Sequence, residues 1–306
     1  MYTLLTILTG AALAVMISIN GNLSARYGAF PAAAIIHAVG SATAILFCLT
    51  QKKKGKITGH RPFWIYLGGV IGVATTVFQN LAFGKISMTS IVALGLLGQT
   101  VMSLFIDSFG LLGMAKDEFR KENIPGLLIS LAGIGMMFDK SMSVQSSAAI
   151  LISFCSGITV VLSRTANARL AEHTGALRSS MTAHLTGLPV TIIIALLVTK
   201  GTIPQESVSY PFRPWIYLGG VLGVMVILLC NITVPKVSAY KQTILNFLGQ
   251  IFTGVILDLL TGVEYQTASF YGGIVIAAGI AFNYLMALWT PAGTKKEKVY
   301  RDEIKS

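Results

Sequence analysis

Trp64-Ile65-Tyr66-Leu67-Gly68-Gly69-Val70 recurs letter for letter as Trp215-Ile216-Tyr217-Leu218-Gly219-Gly220-Val221. The match continues without a gap at a constant offset of 151 residues. Asn80 falls on Asn231, Lys85 on Lys236, Ser87 on Ser238, Gly98-Gln99 on Gly249-Gln250 and Asp107 on Asp258. Over 44 aligned positions, 17 are identical. Chance resemblance between apolar segments matches Leu, Val and Ile, not this set of polar residues. The chain is therefore duplicated, and a duplication governs the reading of the whole fold. Weaker echoes extend it: Asn22 with Asn167, His37 with His184, and Ala132-Gly133-Ile134 with Ala278-Gly279-Ile280.

Outward from this repeat, the 306 residues are 54% hydrophobic and only 11% charged, with a mean hydropathy of +0.72. Soluble domains carry about 25% charged residues, so too little polar material is present to cover a water-facing surface. The apolar residues come in blocks near the length that crosses a bilayer as a helix. Ten spans are expected, at 3–22, 31–50, 63–83, 86–106, 123–139, 147–166, 180–199, 215–234, 242–260 and 269–289. No Lys or Arg precedes the apolar block Tyr2 to Ile19, so it reads as a permanent first helix rather than a leader. Cys48, Cys155 and Cys230 fall inside apolar blocks, far apart in sequence, and read as small buried hydrophobes.

The expected fold class is an all-α integral membrane protein with ten transmembrane helices. Residues 1–140 form a first five-helix repeat, 141–290 a second, and 291–306 a basic cytoplasmic tail. Five spans per repeat force the second copy to enter the membrane from the opposite face, the inverted arrangement of secondary transporters. Of the 23 Lys and Arg residues, 18 fall on one side of the spans and 5 on the other. That split places both termini in the cytoplasm. The formal net charge of +11 would suit a nucleic-acid binder, but the basic residues sit in short gaps between apolar blocks. Those are topology signals, and no nucleic-acid partner is expected.

Ten helices as two inverted five-helix halves resemble the drug/metabolite transporter superfamily. The segments Asn22-Leu23-Ser24-Ala25-Arg26-Tyr27-Gly28 and Asn167-Ala168-Arg169-Leu170, with the two Trp-Ile-Tyr-Leu-Gly-Gly stretches, are similar to its YdcZ-like branch. The resemblance implies a central cavity lined by helices 1–4 and 6–9, with helices 5 and 10 peripheral. Helix 1 has no acidic residue, unlike the small multidrug exporters of the superfamily, so their carboxylate exchange mechanism is not carried over.

Polar side chains at membrane depth are costly and are functional candidates by default. Gln99 and Gln250, with Asn246, Asn80 and Asn231, are the candidates for binding substrate in the cavity; interhelical hydrogen bonding is the alternative. Inversion groups Lys85 with Asp258 on the external side and Lys236 with Asp107 on the internal side, as candidate gates or as solvated charges. His37 and His184, expected toward opposite faces, are candidates for carrying a coupling proton. Arg164 is expected to snorkel to the headgroups. Gly68, Gly69 and Gly72, answered by Gly219, Gly220 and Gly223, suit close helix packing. The Lys52-Lys53-Lys54-Gly55-Lys56 run suits anionic lipid.

The expected function is a secondary transporter moving a small metabolite or drug-like molecule by alternating access; a membrane sensor or assembly scaffold is the alternative. Neither a catalytic constellation nor a phosphate-binding loop is present, so neither an enzyme nor a primary pump is expected, and no cofactor or metal. The expected partners are a small-molecule substrate, the lipid bilayer, a coupling proton or ion, and a second copy of the chain.

Overall fold

The computed structural model describes residues 2–50, 62–114, 124–137, 143–202, 213–236, 239–261 and 267–289. The Lys52–Lys56 run, the charged stretch Lys116–Lys121 and the tail from 291 onward lie outside these residues. The described residues form ten α-helices: α1 (Tyr2–Tyr27), α2 (Ala29–Thr50), α3 (Gly68–Ala82), α4 (Met88–Phe109), α5 (Ile124–Met137), α6 (Val144–Thr174), α7 (Ala176–Thr199), α8 (Gly219–Thr233), α9 (Ala239–Thr261) and α10 (Thr267–Trp289). Short 3-10 turns, Phe63–Leu67 and Pro214–Leu218, lead into α3 and α8. Seven helical stretches are long and apolar enough to cross a membrane; α5 and the described parts of α9 and α10 give shorter apolar segments.

Polar side chains are buried and many large apolar ones face outward. Ser103, Gln242, Thr243 and Asn246 are fully buried, whereas Leu49, Leu197 and Leu260 are 77%, 74% and 78% exposed. Lipid reverses the soluble pattern in this way, because apolar side chains lose nothing by facing it while polar groups must find partners within. Of the cysteines, Cys230 is buried and Cys48 half-buried, but Cys155 is exposed on α6. That last residue departs from expectation because an apolar block has a lipid side as well as a core side.

Two helices run past their expected ends. α1 continues from 22 to Tyr27, and α6 from 166 to Thr174. Hydropathy falls at Asn20, Ser24, Arg164, Thr165 and Asn167, yet all five are buried. The helices stop instead at Gly28 and Gly175, whose φ values of 85° and 89° an L side chain rarely adopts. Each glycine is the single residue between one helix and the next.

The two halves are interleaved. α1 packs on α9 and α6 on α4; α8 packs on α1 and α3 on α6; α2 meets α7, α4 meets α9, and α5 meets α10. Exchanging the halves leaves these pairings unchanged. Equivalent helices run antiparallel: Gly40 abuts His184 while Gly187 abuts His37, and Gly126 abuts Gly279 while Gly133 abuts Gly272. Small residues make the approaches possible. A methyl at Gly157 would collide with the Gly95 carbonyl of α4, and one at Gly10 with the Asn246 carbonyl of α9. Behind these crossings α4 supplies most of the dry core, with Ile91, Leu94, Leu96 and Leu97 against Ala14, Ile17, Ile150, Phe247 and Ile276.

The packing also corrects the alignment of the first helices. Gly68 abuts the Asn167 amide oxygen and Gly219 abuts the Asn20 amide oxygen, so Asn20, not Asn22, is the counterpart of Asn167. Asn22 is half-buried and donates to the Ser18 carbonyl of its own helix at 2.9 Å. The expected pairing slipped because α1 and α6 share too few identical residues to hold a register two positions apart.

Asp258 meets the first repeat on the side where Lys85 lies, through the amino end of α4. Its carboxylate oxygens accept from the backbone N–H groups of Met88 at 2.9 Å and Thr89 at 2.8 Å, and from the Thr89 hydroxyl. A carboxylate there satisfies orphan donors and complements the helix dipole. Lys85 is exposed in the turn before α4, Lys236 is exposed in the 3-10 turn after α8, and Asp107 is half-buried in the last turns of α4. Asp258→Ala is expected to cost about 0.5–2 kcal/mol, the range for losing a helix cap, with Asp258→Asn recovering part of it. Thermal unfolding in detergent reads both.

A polar cavity between the repeats

A cavity of about 120 Å3 lies between the halves. α1, α2 and α3 of the first repeat and α6, α7, α8 and α9 of the second line it. α5 and α10 pair with each other away from it, as the resemblance implied, but α4 contributes no lining residue. Its wall is apolar over Leu13, Met16, Ile36, Val160, Val226 and Ile227, broken by a few polar groups.

Gly72 and Gly223, equivalent in the repeat, belong to the lining, where the lack of a side chain keeps the space open. Their neighbours Gly69 and Gly220 pack on the Ala183 and Ile36 carbonyls of α7 and α2. One glycine-rich stretch therefore serves both packing and cavity.

His37 and His184 do not lie toward opposite faces. They meet at the α2–α7 crossing with ring centroids 5.7 Å apart and planes tilted by 57°. Each ring fits against a glycine of the opposite helix, both are buried, and both line the cavity. Inversion explains the correction: residues near the middle of two crossed, antiparallel equivalents come together at the crossing. Both ring nitrogens of His37 and Nδ1 of His184 are buried with no hydrogen-bond partner.

Arg164 does not snorkel. Its side chain is buried, lines the cavity and donates from Nη2 to the Thr243 hydroxyl of α9 at 3.2 Å. Thr243 in turn bonds Ser103 of α4 at 3.1 Å. The extension of α6 to Thr174 is the reason, since it leaves Arg164 more than two turns inside the helix rather than at its end. Nη1 of Arg164 has no partner, nor has either amide atom of Asn246, one turn beyond Thr243. Buried polar groups are nearly always bonded, so this cluster stands out.

The other candidates divide. Asn231 lines the cavity, and its amide donates to the Ala176 carbonyl at 3.0 Å. Asn80 makes the equivalent bond to the Ala29 carbonyl at 3.2 Å, outside the lining. Both thus clamp the residue that follows a helix-ending glycine. Gln99 and Gln250 are buried outside the lining, beside the Gly98 and Gly249 contacts with α6 and α1. Sequence reasoning passed over Asn20, Asn167, Thr75, Thr76 and Ser163, which all line the cavity. A helical reading carried on to Gly175 would have put Asn167 inside a helix, as Asn20 already was.

With its native cysteines replaced, the pair His37→Cys and His184→Cys is expected to be joined by a short thiol-reactive cross-linker. A control pair at Leu46 and Leu197, both exposed, is expected to remain unjoined; gel mobility after cleavage between the repeats distinguishes the two.

Comparison with known proteins accords with this architecture. The sequence pattern of the family described as "Putative inner membrane exporter, YdcZ" matches residues 1–136 and again residues 148–283. None of the curated proteins matches. A crystal structure described only as "Crystal structure of protein" superposes with a TM-score of 0.56, at 15% identity, over 93% of this chain and 96% of that one; the likeness is one of fold. Two copies of one family pattern cover nearly all of this multi-pass membrane protein, and the chain belongs to the YdcZ-like family of the drug/metabolite transporter superfamily.

Proposed function

We propose that the protein is a secondary exporter of the inner membrane that moves a small molecule by alternating access. It has ten transmembrane spans in two inverted repeats, with both termini in the cytoplasm. Residues 1–140 and 141–290 act as the two halves, and no catalysis is involved. The observation that carries this reading is the cavity itself, walled by both repeats and holding polar groups that lack protein partners. Two antiparallel copies of one unit can exchange conformations, so inward-open and outward-open states share one architecture.

Among the contacts between the halves on the face assigned to the exterior by the positive-inside rule are two that join side chains to the opposite half. One joins Asp258 to the start of α4; the other joins the Tyr27 and Tyr217 hydroxyls, 2.6 Å apart. Opening toward that face requires both to part, which recasts the expected Lys85–Asp258 gate as a carboxylate on a helix end. His37 and His184, paired between the moving halves, are the groups best placed to take up a coupling proton. Gln99 and Gln250, buried outside the lining, are set aside as substrate ligands.

Thr75 and Val226 are equivalent in the repeat and both line the cavity. A cysteine at either position, in a background without native cysteines, is expected to react with a membrane-impermeant thiol reagent from both sides. Right-side-out and inside-out vesicles provide the two sides. Labelling from one side only, at both positions, would sink alternating access.

A further inference from the structure

At one corner of the cavity the two repeats differ by a buried charge. Aligned on Asn20 with Asn167 and His37 with His184, Arg164 of α6 corresponds to Ile17 of α1. In the constant register of the later helices, Thr243 and Asn246 of α9 correspond to Val92 and Gly95 of α4. The first repeat therefore fills this corner with dry core, Ile17 and Val92 being buried in one apolar cluster. The second repeat fills it with a guanidinium, a hydroxyl and a carboxamide, all buried.

Packing does not demand this difference, since the first repeat packs the same corner with apolar side chains. Burying a cation costs several kcal/mol unless partners compensate it. Arg164 has a neutral hydroxyl on Nη2 and nothing on Nη1, while Asp107 acts on it electrostatically from α4. Beside it the Asn246 amide offers a donor and an acceptor that no protein group takes up. An arginine presents a planar fork of donors matched to a carboxylate.

From this geometry we infer that the cargo carries a carboxylate, bound by Arg164 with Asn246 as its second ligand. The inference rests on the transporter reading of this cavity and deepens it. Leu13, Met16, Val160 and Ile227 offer the cargo's carbon skeleton an apolar wall, while Asn20, Thr75 and Ser163 leave room for a further neutral polar group. A single negative charge is favoured over a dianion: among the described residues Arg164 is the one Lys or Arg in the lining, and a second buried charge would lack a partner there.

The test uses the purified full-length protein and its unfolding temperature, which a ligand raises by mass action. The probes are benzoate and the straight-chain monocarboxylates from acetate to octanoate, each beside its primary amide, with hexylammonium and inorganic phosphate. At least one carboxylate is expected to raise the midpoint where its amide does not. Charge-assisted hydrogen bonds of this kind are worth about tenfold or more in affinity, so Arg164→Gln is expected to weaken the response at least that much. Asn246→Ala, which leaves the buried charge in place, is expected to weaken it less and guards against a folding defect in the first variant.

Stabilisation by the amides, hexylammonium or phosphate in place of a carboxylate would overturn the assignment. So would no stabilisation by any probe, or an equal response in Arg164→Gln. Flux in proteoliposomes separates this inference from the transporter reading. Carboxylate binding without carboxylate flux upholds Arg164 as the ligand and removes the transporter. Flux of hexylammonium that Arg164→Gln leaves unchanged upholds the transporter and removes the carboxylate.

Discussion

In lipid, two helices gain nothing by hiding leucines from each other, so association depends on how closely their backbones approach and on the polar groups they share. The main crossings of this molecule obey that constraint. Gly157 lies on the Gly95 carbonyl and Gly10 on the Asn246 carbonyl; Gly40 and Gly187 each receive a histidine from the opposite helix. These contacts join one half to the other, so the same close approaches that hold the helices together also interleave the repeats. The central cavity exists because Gly72 and Gly223, within those same glycine stretches, face open space instead of a neighbouring backbone.

Duplication gives such a protein two equivalent halves, and the polar residues show what each half does with its copy. Asn80 and Asn231 keep one task, clamping the residue after a helix-ending glycine. His37 and His184 become partners across the crossing of their helices. At Arg164, Thr243 and Asn246 the halves part company, with apolar packing on one side and an unsatisfied polar cluster on the other. The symmetric residues thus carry the architecture, and the carboxylate inferred above rests on the asymmetric ones.

The exact repeat beginning at Trp64 and Trp215 made the halves and their opposed directions legible before any coordinates, and the apolar blocks located the helices. What escaped was depth. Hydropathy treats a run of polar side chains as the approach of water, so Asn20 and Arg164 read as the ends of helices. Their side chains turn inward, and no backbone feature stops the helix before Gly28 or Gly175. For the histidines, opposite sequence directions were taken to mean opposite faces, although antiparallel helices that cross share their midpoint. Sequence also could not show which side of α4 and α9 is dry, so Gln99 and Gln250 stood beside Asn246 as candidates although only Asn246 reaches the cavity.

Interleaving has a consequence for biosynthesis. A chain inserted into the membrane in order exposes α1 to α5 before α6 to α10 have left the ribosome. All five helices of the first half find their main partner only in the second half. The glycine faces of α2 and α3 and the polar flank of α1 therefore stay uncovered against lipid until late in synthesis. The amino-terminal half is better regarded as a waiting template than as a domain, and the molecule becomes a single cooperative unit only when its last helices arrive.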